Sequence, residues 1–304
     1  MNISACIITN NDRRVLTAIE SVKNVCNEII LVETSGRNDF QTELQKLNVK
    51  LYFNKWTENF SEARNFAISK ATGDWILIID SDEIMRSEIK QLPDKFDMYF
   101  VNISINGSSS ASGRIFKNNG LIKFENGVHE TAEYTVSEDK KAFTNIIFEH
   151  TGYFEDEVAM SKKLIRNFKI LLKDKSNRLR NYYLALTYYN FGKYAKAIST
   201  GNEALKDNIP EECKAKVSVM LFECFKALNE IKLYYLFKSL NYIPQQITAR
   251  LMLYEIYENP QDKLKQLYEI INIVYSGRTG MQNDSRVTTE FLRQELKKLQ
   301  TIKK

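Results

Sequence analysis

Three carboxylates stand within four positions at the end of an apolar run. Trp75, Ile76, Leu77, Ile78 and Ile79 lead directly into Asp80, Ser81, Asp82 and Glu83. Like charges this close raise one another's pKa and repel unless something positive is bound among them. A divalent cation meets that need. Carboxylate oxygens are hard ligands suited to Mg²⁺ or Mn²⁺, and such ions usually also hold substrate phosphates. A second reading is a capped helix, with Ser81 or Asp82 at the N-cap and Glu83 in the first turn. That reading accounts for one or two of the acids, but not for two aspartates spaced i, i+2 at the end of a buried strand. Just upstream, "FSEARNF" (60–66) sets Arg64 beside Asn65. They are either a solvated helix face or a guanidinium and an amide directed at a nucleotide phosphate or at the acids. The chain has two histidines, in "GVHE" (127–130) and "EHTGY" (149–153). A lone histidine is more often structural than functional. Two in the same region argue for a functional role in at least one.

Something must bring these groups together. Strand-like "NISACIITN" (2–10), "EIILVETS" (28–35), "KLYFNKW" (50–56) and "DWILIID" (74–80) alternate with helix-like segments over 12–25, 39–47 and from Ser61 to Gly73. Ser61 is placed to cap the third helix and Gly73 to stop it. This order predicts a mostly parallel sheet flanked by helices, an α/β fold. Ligands of such sheets collect at the carboxyl ends of the strands. From Met98 to Tyr153 the rhythm becomes antiparallel or mixed, with strands "MYFVNISI", "SGRIFKN", "LIKFE" and "AFTNIIFEH".

After about residue 155 the pattern is helical. In 180–210, Ala185, Tyr188, Gly192, Tyr194, Ala197 and Ala204 fall at the spacing of a tetratricopeptide unit. Segments 215–240 and 248–275 read as looser helix pairs. The alternative is an ordinary helical bundle. The expected organisation is therefore a domain over 1–155, a connecting helix over 156–177, an all-α repeat-like domain over 178–280 and a final helix over 281–304.

Composition removes several classes of function. With 304 residues, 43% hydrophobic and 27% charged, the chain can bury more than one core. A net charge of +5, spread along the sequence, argues against nucleic-acid binding. Cys6, Cys26, Cys213 and Cys224 form no CxxC pair and read as reduced core thiols. No apolar run approaches the roughly 20 residues of a transmembrane helix, and the first residues lack the marks of a signal peptide, so a cytoplasmic protein is expected.

Taken together, "ISACIITNND" (3–12), "EIILVETSGRND" (28–39), "WTENFSEARNFAISKATGDWILIIDSDE" (56–83), "GVHE" and "EHTGY" resemble a family 2 glycosyltransferase of the GT-A fold. The likeness is greatest to bacterial members with an appended tetratricopeptide domain, including peptide S-glycosyltransferases of bacteriocin biosynthesis and relatives acting on cell-surface glycans. The resemblance implies a nucleotide-sugar donor, a peptide or glycan acceptor, and Mg²⁺ or Mn²⁺. It implies that Thr9 and Asn10 line the nucleotide pocket, with Ser81 also on the donor. Glu33 stands where an aspartate usually contacts uracil or ribose, and Arg37 would touch a phosphate. Arg64 and Asn65 would brace the pocket. Asp80 would reach the ribose or nucleotide, Asp82 the metal, and His150 the metal or a phosphate. Glu130, with His129 beside it, is the candidate catalytic base. The common "VDTGSTDGT" is here "VETSGRNDF", and no Glu-Asp dyad supplies an obvious base.

The expected reaction inverts the anomeric carbon in one displacement. The helical half would hold the acceptor or form a homodimer. Two alternatives are a nucleotidyltransferase, disfavoured because "TNNDRR" after the first strand has no glycine, and a degenerate transferase acting as a scaffold.

Overall fold

Alternate residues of the first strand serve two different cores. In Ile3–Thr9 (β1), Ile3, Ala5 and Ile7 pack with Val15, Ala18, Ile19 and Val22 of the helix Val15–Val22 (α1). Cys6 belongs to the opposite layer with Ile30, Val32, Ala67, Ile76 and Ile78. A strand covered on both faces needs apolar side chains of both parities, which explains its nearly unbroken apolar run. Glu28–Glu33 (β2), Lys50–Phe53 (β3) and Trp75–Ile78 (β4) join β1 in parallel, in the order β3-β2-β1-β4. Gln41–Lys46 (α2) and Phe60–Ser69 (α3) complete the crossovers. Each fully buried Ile or Leu in these layers contributes about 1.5–3 kcal/mol.

The structure, a computed structural model, describes residues 1–89, 92–105, 108–151, 157–276, 284 and 286–301. Beyond β4 the sheet continues with Glu83–Met85 (β5), Met98–Ile105 (β6), Ser108–Lys117 (β7) and Lys141–His150 (β8). The eight strands run β3-β2-β1-β4-β7-β6-β8-β5. β7 is antiparallel to β4 and β6, β8 is parallel to β6, and β5 is antiparallel to β8. The sheet is thus mixed, parallel on one side of β4 and largely antiparallel on the other.

Three local expectations are corrected. Glu83 does not enter a helix: Glu83–Met85 is a strand whose residues face His150, Glu149 and Phe148 in register. "LIKFE" forms no strand; within it only Glu125 makes an isolated bridge, to Thr131. Ser61 does not cap α3. Asn59 does, accepting the Glu62 N–H at 3.1 Å, while the Ser61 hydroxyl donates to the Asn126 carbonyl at 2.6 Å.

The chain separates into two compact units, Met1–Asn177 and Arg178–Lys304. The helix Glu157–Lys173 (α4) lies in the first. The second contains Arg180–Asn190 (α5), Tyr194–Ala204 (α6), Glu211–Ala227 (α7), Tyr234–Tyr242 (α8), Ile247–Ile256 (α9), Pro260–Tyr275 (α10) and Thr289–Thr301 (α11). Successive helices pack as hairpins, α5 on α6, α7 on α8 and α9 on α10. Gly192 (φ +66°) makes the turn between α5 and α6, a left-handed conformation that glycine adopts without strain. Gly201 lets α6 approach α7: a Cβ there would lie 3.0 Å from Leu221 and Met220 side-chain carbons. The boundaries expected at 155/156 and 280/281 lie outside the described residues. All four cysteines are free thiols.

Candidate active site

β1, β2 and β4 run in one direction, so the segments that follow them emerge at one edge of the sheet. There they wall a cavity of about 590 Å³. Ile8, Thr9, Asn10, Asp12 and Arg14 come from the β1–α1 connection, Thr34 and Ser35 from the end of β2, and Asp80, Ser81 and Asp82 from the end of β4. Trp56, Phe60 and Arg64 enter from α3 and the loop before it, Lys163 and Arg166 from α4.

Behind the cavity lies a buried network of charge. The Arg64 Nη2 donates to Asp80 Oδ1 at 2.6 Å and its Nε to Glu130 Oε1 at 2.7 Å. Arg114, on β7, donates through one Nη2 to Asp80 Oδ2 at 3.0 Å and to Glu83 Oε1 at 2.9 Å. The other oxygen of Glu83 accepts the Asp80 backbone N–H at 2.9 Å, closing the turn between β4 and β5. Burial works against the charge on Asp80, but Arg114 and Arg64 outweigh it and hold the carboxyl well below the ordinary range. Glu83 is completely buried; burial pushes it up to about 7, against the pull of Arg114 and with the help of the negative Asp80. The two carboxylates are thus pushed in opposite directions, Asp80 down by its two guanidinium partners and Glu83 up by burial.

Asp82 is held quite differently. His150 Nε2 lies 3.6 Å from its Oδ1; Lys163 Nζ and Arg14 Nη1 lie 3.8 and 4.0 Å from its Oδ2. All three are beyond direct hydrogen bonding. The Asp82 carbonyl accepts two bonds from Thr151, one from the backbone N–H and one from the hydroxyl, both at 2.8 Å. The backbone is therefore anchored while the carboxylate is surrounded loosely by basic groups.

The expected site residues are placed unequally. Thr9, Asn10, Arg64, Asp80, Ser81 and Asp82 line the cavity. His150 stands at Asp82 because β5 pairs with β8 and puts Glu83 opposite His150. Glu130 adjoins the network through Arg64; its second oxygen accepts no hydrogen bond from the described residues. His129 is exposed, on left-handed backbone (φ +54°). Glu33 is buried away from the lining. Its oxygens accept the Asn11 and Ser35 N–H groups at 2.7 and 2.5 Å, fastening the loops after β1 and β2 together. Asn65 does not brace the cavity directly: its amide exchanges two 2.9 Å bonds with the backbone of Phe124. Arg37 is exposed and pairs with Asp39. Sequence reasoning passed over Arg14, Trp56, Phe60, Arg114, Lys163 and Arg166. Only the i, i+3 spacing of Lys163 and Arg166 on a helix offered a signal.

For a divalent cation, the groups on offer are few but of suitable chemistry. Both Asp80 oxygens are taken by guanidinium groups, which leaves the carboxylate of Asp82 and the imidazole of His150. Among the described residues no group of three or more His, Cys, Asp and Glu side chains could hold a metal. One or two protein ligands, with phosphate oxygens and water completing the shell, suit Mg²⁺ or Mn²⁺ better than a metal needing an all-protein cage. No helix among the described residues is long and apolar enough to cross a membrane.

Residues 4–154 match Glycosyl transferase family 2. The SPbeta prophage-derived glycosyltransferase SunS of Bacillus subtilis is 29% identical over 180 residues, covering 54% of this chain and 42% of that protein. A TPR repeat-containing protein of Synechococcus elongatus is 27% identical over 176 residues, covering 51% and 43%. The matches thus span less than half the length of these relatives. Among solved structures, S. aureus TarS 1–349 in complex with UDP is similar at a TM-score of 0.39 and 13% identity over 95% of each chain. The mannosyltransferase PcManGT from Pyrobaculum calidifontis, in complex with GDP-Man and Mn²⁺, gives 0.40 and 12%, covering 100% of this chain and 88% of that one.

Proposed function

We propose that this chain, whose residues 4–154 are a glycosyl transferase family 2 domain, moves a sugar from a UDP-linked donor to a nucleophile on a peptide or glycan. The observation that carries this reading is the cavity at the strand ends, where Asp82 is presented among basic side chains and Asp80 is fixed as an anion behind it. Thr9, Asn10, Thr34 and Ser35 offer hydroxyl, amide and backbone groups to the nucleoside. Arg64 also lines the cavity and keeps one buried Nη1 without a hydrogen-bond partner among the described residues.

In the proposed reaction the acceptor's lone pair forms a bond to the anomeric carbon. The bond from that carbon to the diphosphate oxygen breaks, and its electron pair stays on the diphosphate. The attack comes from the face opposite the leaving group, so configuration inverts. Asp82 and His150 would hold Mg²⁺ or Mn²⁺, which when bound neutralises charge on the diphosphate. Glu130 takes the acceptor proton on the oxygen that Arg64 does not occupy. A thiol acceptor needs this help least, since its ordinary pKa is near 8.5.

The test is a thermal-shift series with UDP-sugars, alone and with MgCl₂ or MnCl₂, followed by donor hydrolysis. A donor at about 100 times its Kd stabilises by about 2.7 kcal/mol. A flat series across UDP- and GDP-sugars would end this reading. Glu130→Gln is expected to lower turnover while leaving donor affinity within about twofold; unchanged turnover would place the base elsewhere.

A further inference from the structure

Two cations of the cavity come from an element outside the strand-end loops. Lys163 and Arg166 sit one turn apart on α4, and both line the cavity. The Lys163 ammonium is 3.8 Å from Asp82 Oδ2. The Arg166 guanidinium lies over the Phe60 ring, 4.9 Å from its centroid, and Phe60 meets Trp56 edge-on at 4.7 Å. An aromatic face beneath a guanidinium fixes its plane, and Arg166 Nε and Nη2 also donate to the Asn167 side-chain oxygen at 3.1 and 3.0 Å, which holds the group in place.

The placement has a chemical meaning. The other lining cations, Arg14 and Arg64, each make hydrogen bonds to lining acids at 2.5–3.0 Å: Arg14 to Asp12, and Arg64 to Asp80. Lys163 stands beside a third lining acid, Asp82, whose basic neighbours among the described residues, His150, Lys163 and Arg14, lie at 3.6, 3.8 and 4.0 Å. Any anion drawn to the region of Asp82 comes within reach of the Lys163 ammonium. A compact ammonium and a planar fork, one helical turn apart, match the spread of oxygens on two linked phosphates.

Resting on the donor reading above, we infer that Lys163 and Arg166 of α4 bind the diphosphate of the donor and take up the charge of the leaving oxygen. The step is the one already balanced: the electron pair of the broken bond rests on the diphosphate, and the two cations stabilise it with no proton transferred to it. α4 thereby belongs to the active site and is more than a connector between units.

The experiment compares the full-length chain with Lys163→Ala and Arg166→Ala by calorimetry in EDTA, using three probes: UDP, inorganic pyrophosphate and uridine. Each substitution is expected to weaken UDP and pyrophosphate about tenfold and to leave uridine unchanged. Arg166→Lys should recover part of the loss, because it restores charge without the fork. If either alanine variant melts lower than the native chain, Lys163→Gln and Arg166→Lys carry the same comparison. Equal losses for uridine and UDP would mean that α4 only shapes the cavity, and the inference falls. Native binding of UDP with unaltered variants would also overturn it, while leaving the donor reading intact. A native chain that binds neither UDP nor pyrophosphate in EDTA overturns the inference, and one that also fails to bind UDP with MnCl₂ removes the donor reading as well.

Discussion

Asp80 and Asp82 are two residues apart, yet they occupy opposite kinds of environment. Asp80 has both oxygens fastened by guanidinium groups at 2.6 and 3.0 Å, with a fully buried glutamate beneath it. Asp82 has a well-anchored backbone and a carboxylate whose basic neighbours among the described residues stand at 3.6–4.0 Å. The inner region resembles the interior of an ion-pair network, where removing one partner strands a buried charge. In the outer region the carboxylate is bordered by an imidazole, an ammonium and a guanidinium without a close ion pair to any of the three. One short turn therefore contains both a tightly paired and a loosely surrounded carboxylate, and their neighbours, not their residue type, make the difference.

The comparison is most exposed at Arg114. Arg114→Met leaves Asp80 and Glu83 without their shared counter-charge and is expected to cost about 3–5 kcal/mol, measured by urea unfolding. Adding Glu83→Gln should recover part of that loss. An unchanged midpoint in the single variant would show that the inner region is not held as described.

Asp82→Ala should have the reverse profile. Transfer is expected to fall about 10³-fold, near 4 kcal/mol of transition-state stabilisation, while unfolding stays within about 1 kcal/mol of the native chain. The two Thr151 bonds to the Asp82 carbonyl survive this substitution. Retained transfer would remove Asp82 from the chemistry.

A third prediction uses pH. Native Glu83 keeps its proton up to about 7, whereas the unfolded chain releases it near 4.5. Between these values the unfolded state binds fewer protons, so this group's contribution is whole below about 4.5 and is lost as pH rises toward 7. The slope approaches 1.4 kcal/mol per pH unit. Glutamine has no such proton. The melting temperature of Glu83→Gln, relative to the native chain, should climb from pH 5 to pH 7 and then level off. A constant difference would mean that Glu83 is already ionised in the fold. Asp80 does not interfere, because its folded pKa lies well below that window.

The smallest effect concerns the platform of Arg64. Asn59→Ala removes the cap of α3 and is expected to cost about 1 kcal/mol, with donor affinity nearly unchanged. A large loss of donor binding would show that the inner and outer regions are coupled through α3.

Much of this was legible in the sequence, for local reasons. The apolar runs of β1, β2 and β4 announced strands buried on both faces, and the alternation with helices announced parallel order. That order alone brings Thr9, Asn10, Asp80 and Asp82 to one edge, because parallel strands end together. The small residues of α5 and α6 likewise signalled a close helix hairpin. Three things were hidden. Glu83 looked like the first turn of a helix because acids favour both helix starts and ligand sites; the strand pairing with β8, 67 positions away at His150, overrode that local preference. Glu33 and Asn65 carried side chains fit for a ligand, but unsatisfied backbone groups of Asn11, Ser35 and Phe124 claimed them first. Arg114 lay in a strand with no local mark of function, and only the antiparallel pairing of β7 with β4 sets it against Asp80.

The sequence by itself determined which residues are strands, which edge gathers polar groups and which carboxylates are candidates for chemistry. Periodicity, spacing and charge are properties of neighbours along the chain. Only the tertiary structure decided which carboxylate is locked and which is available, and which distant cations face it. Those depend on burial and on contacts between residues far apart in the chain, as with Lys163, 81 positions after Asp82, whose ammonium lies 3.8 Å from the Asp82 carboxylate. A charge in water is nearly indifferent to such neighbours, whereas one removed from water is governed by them.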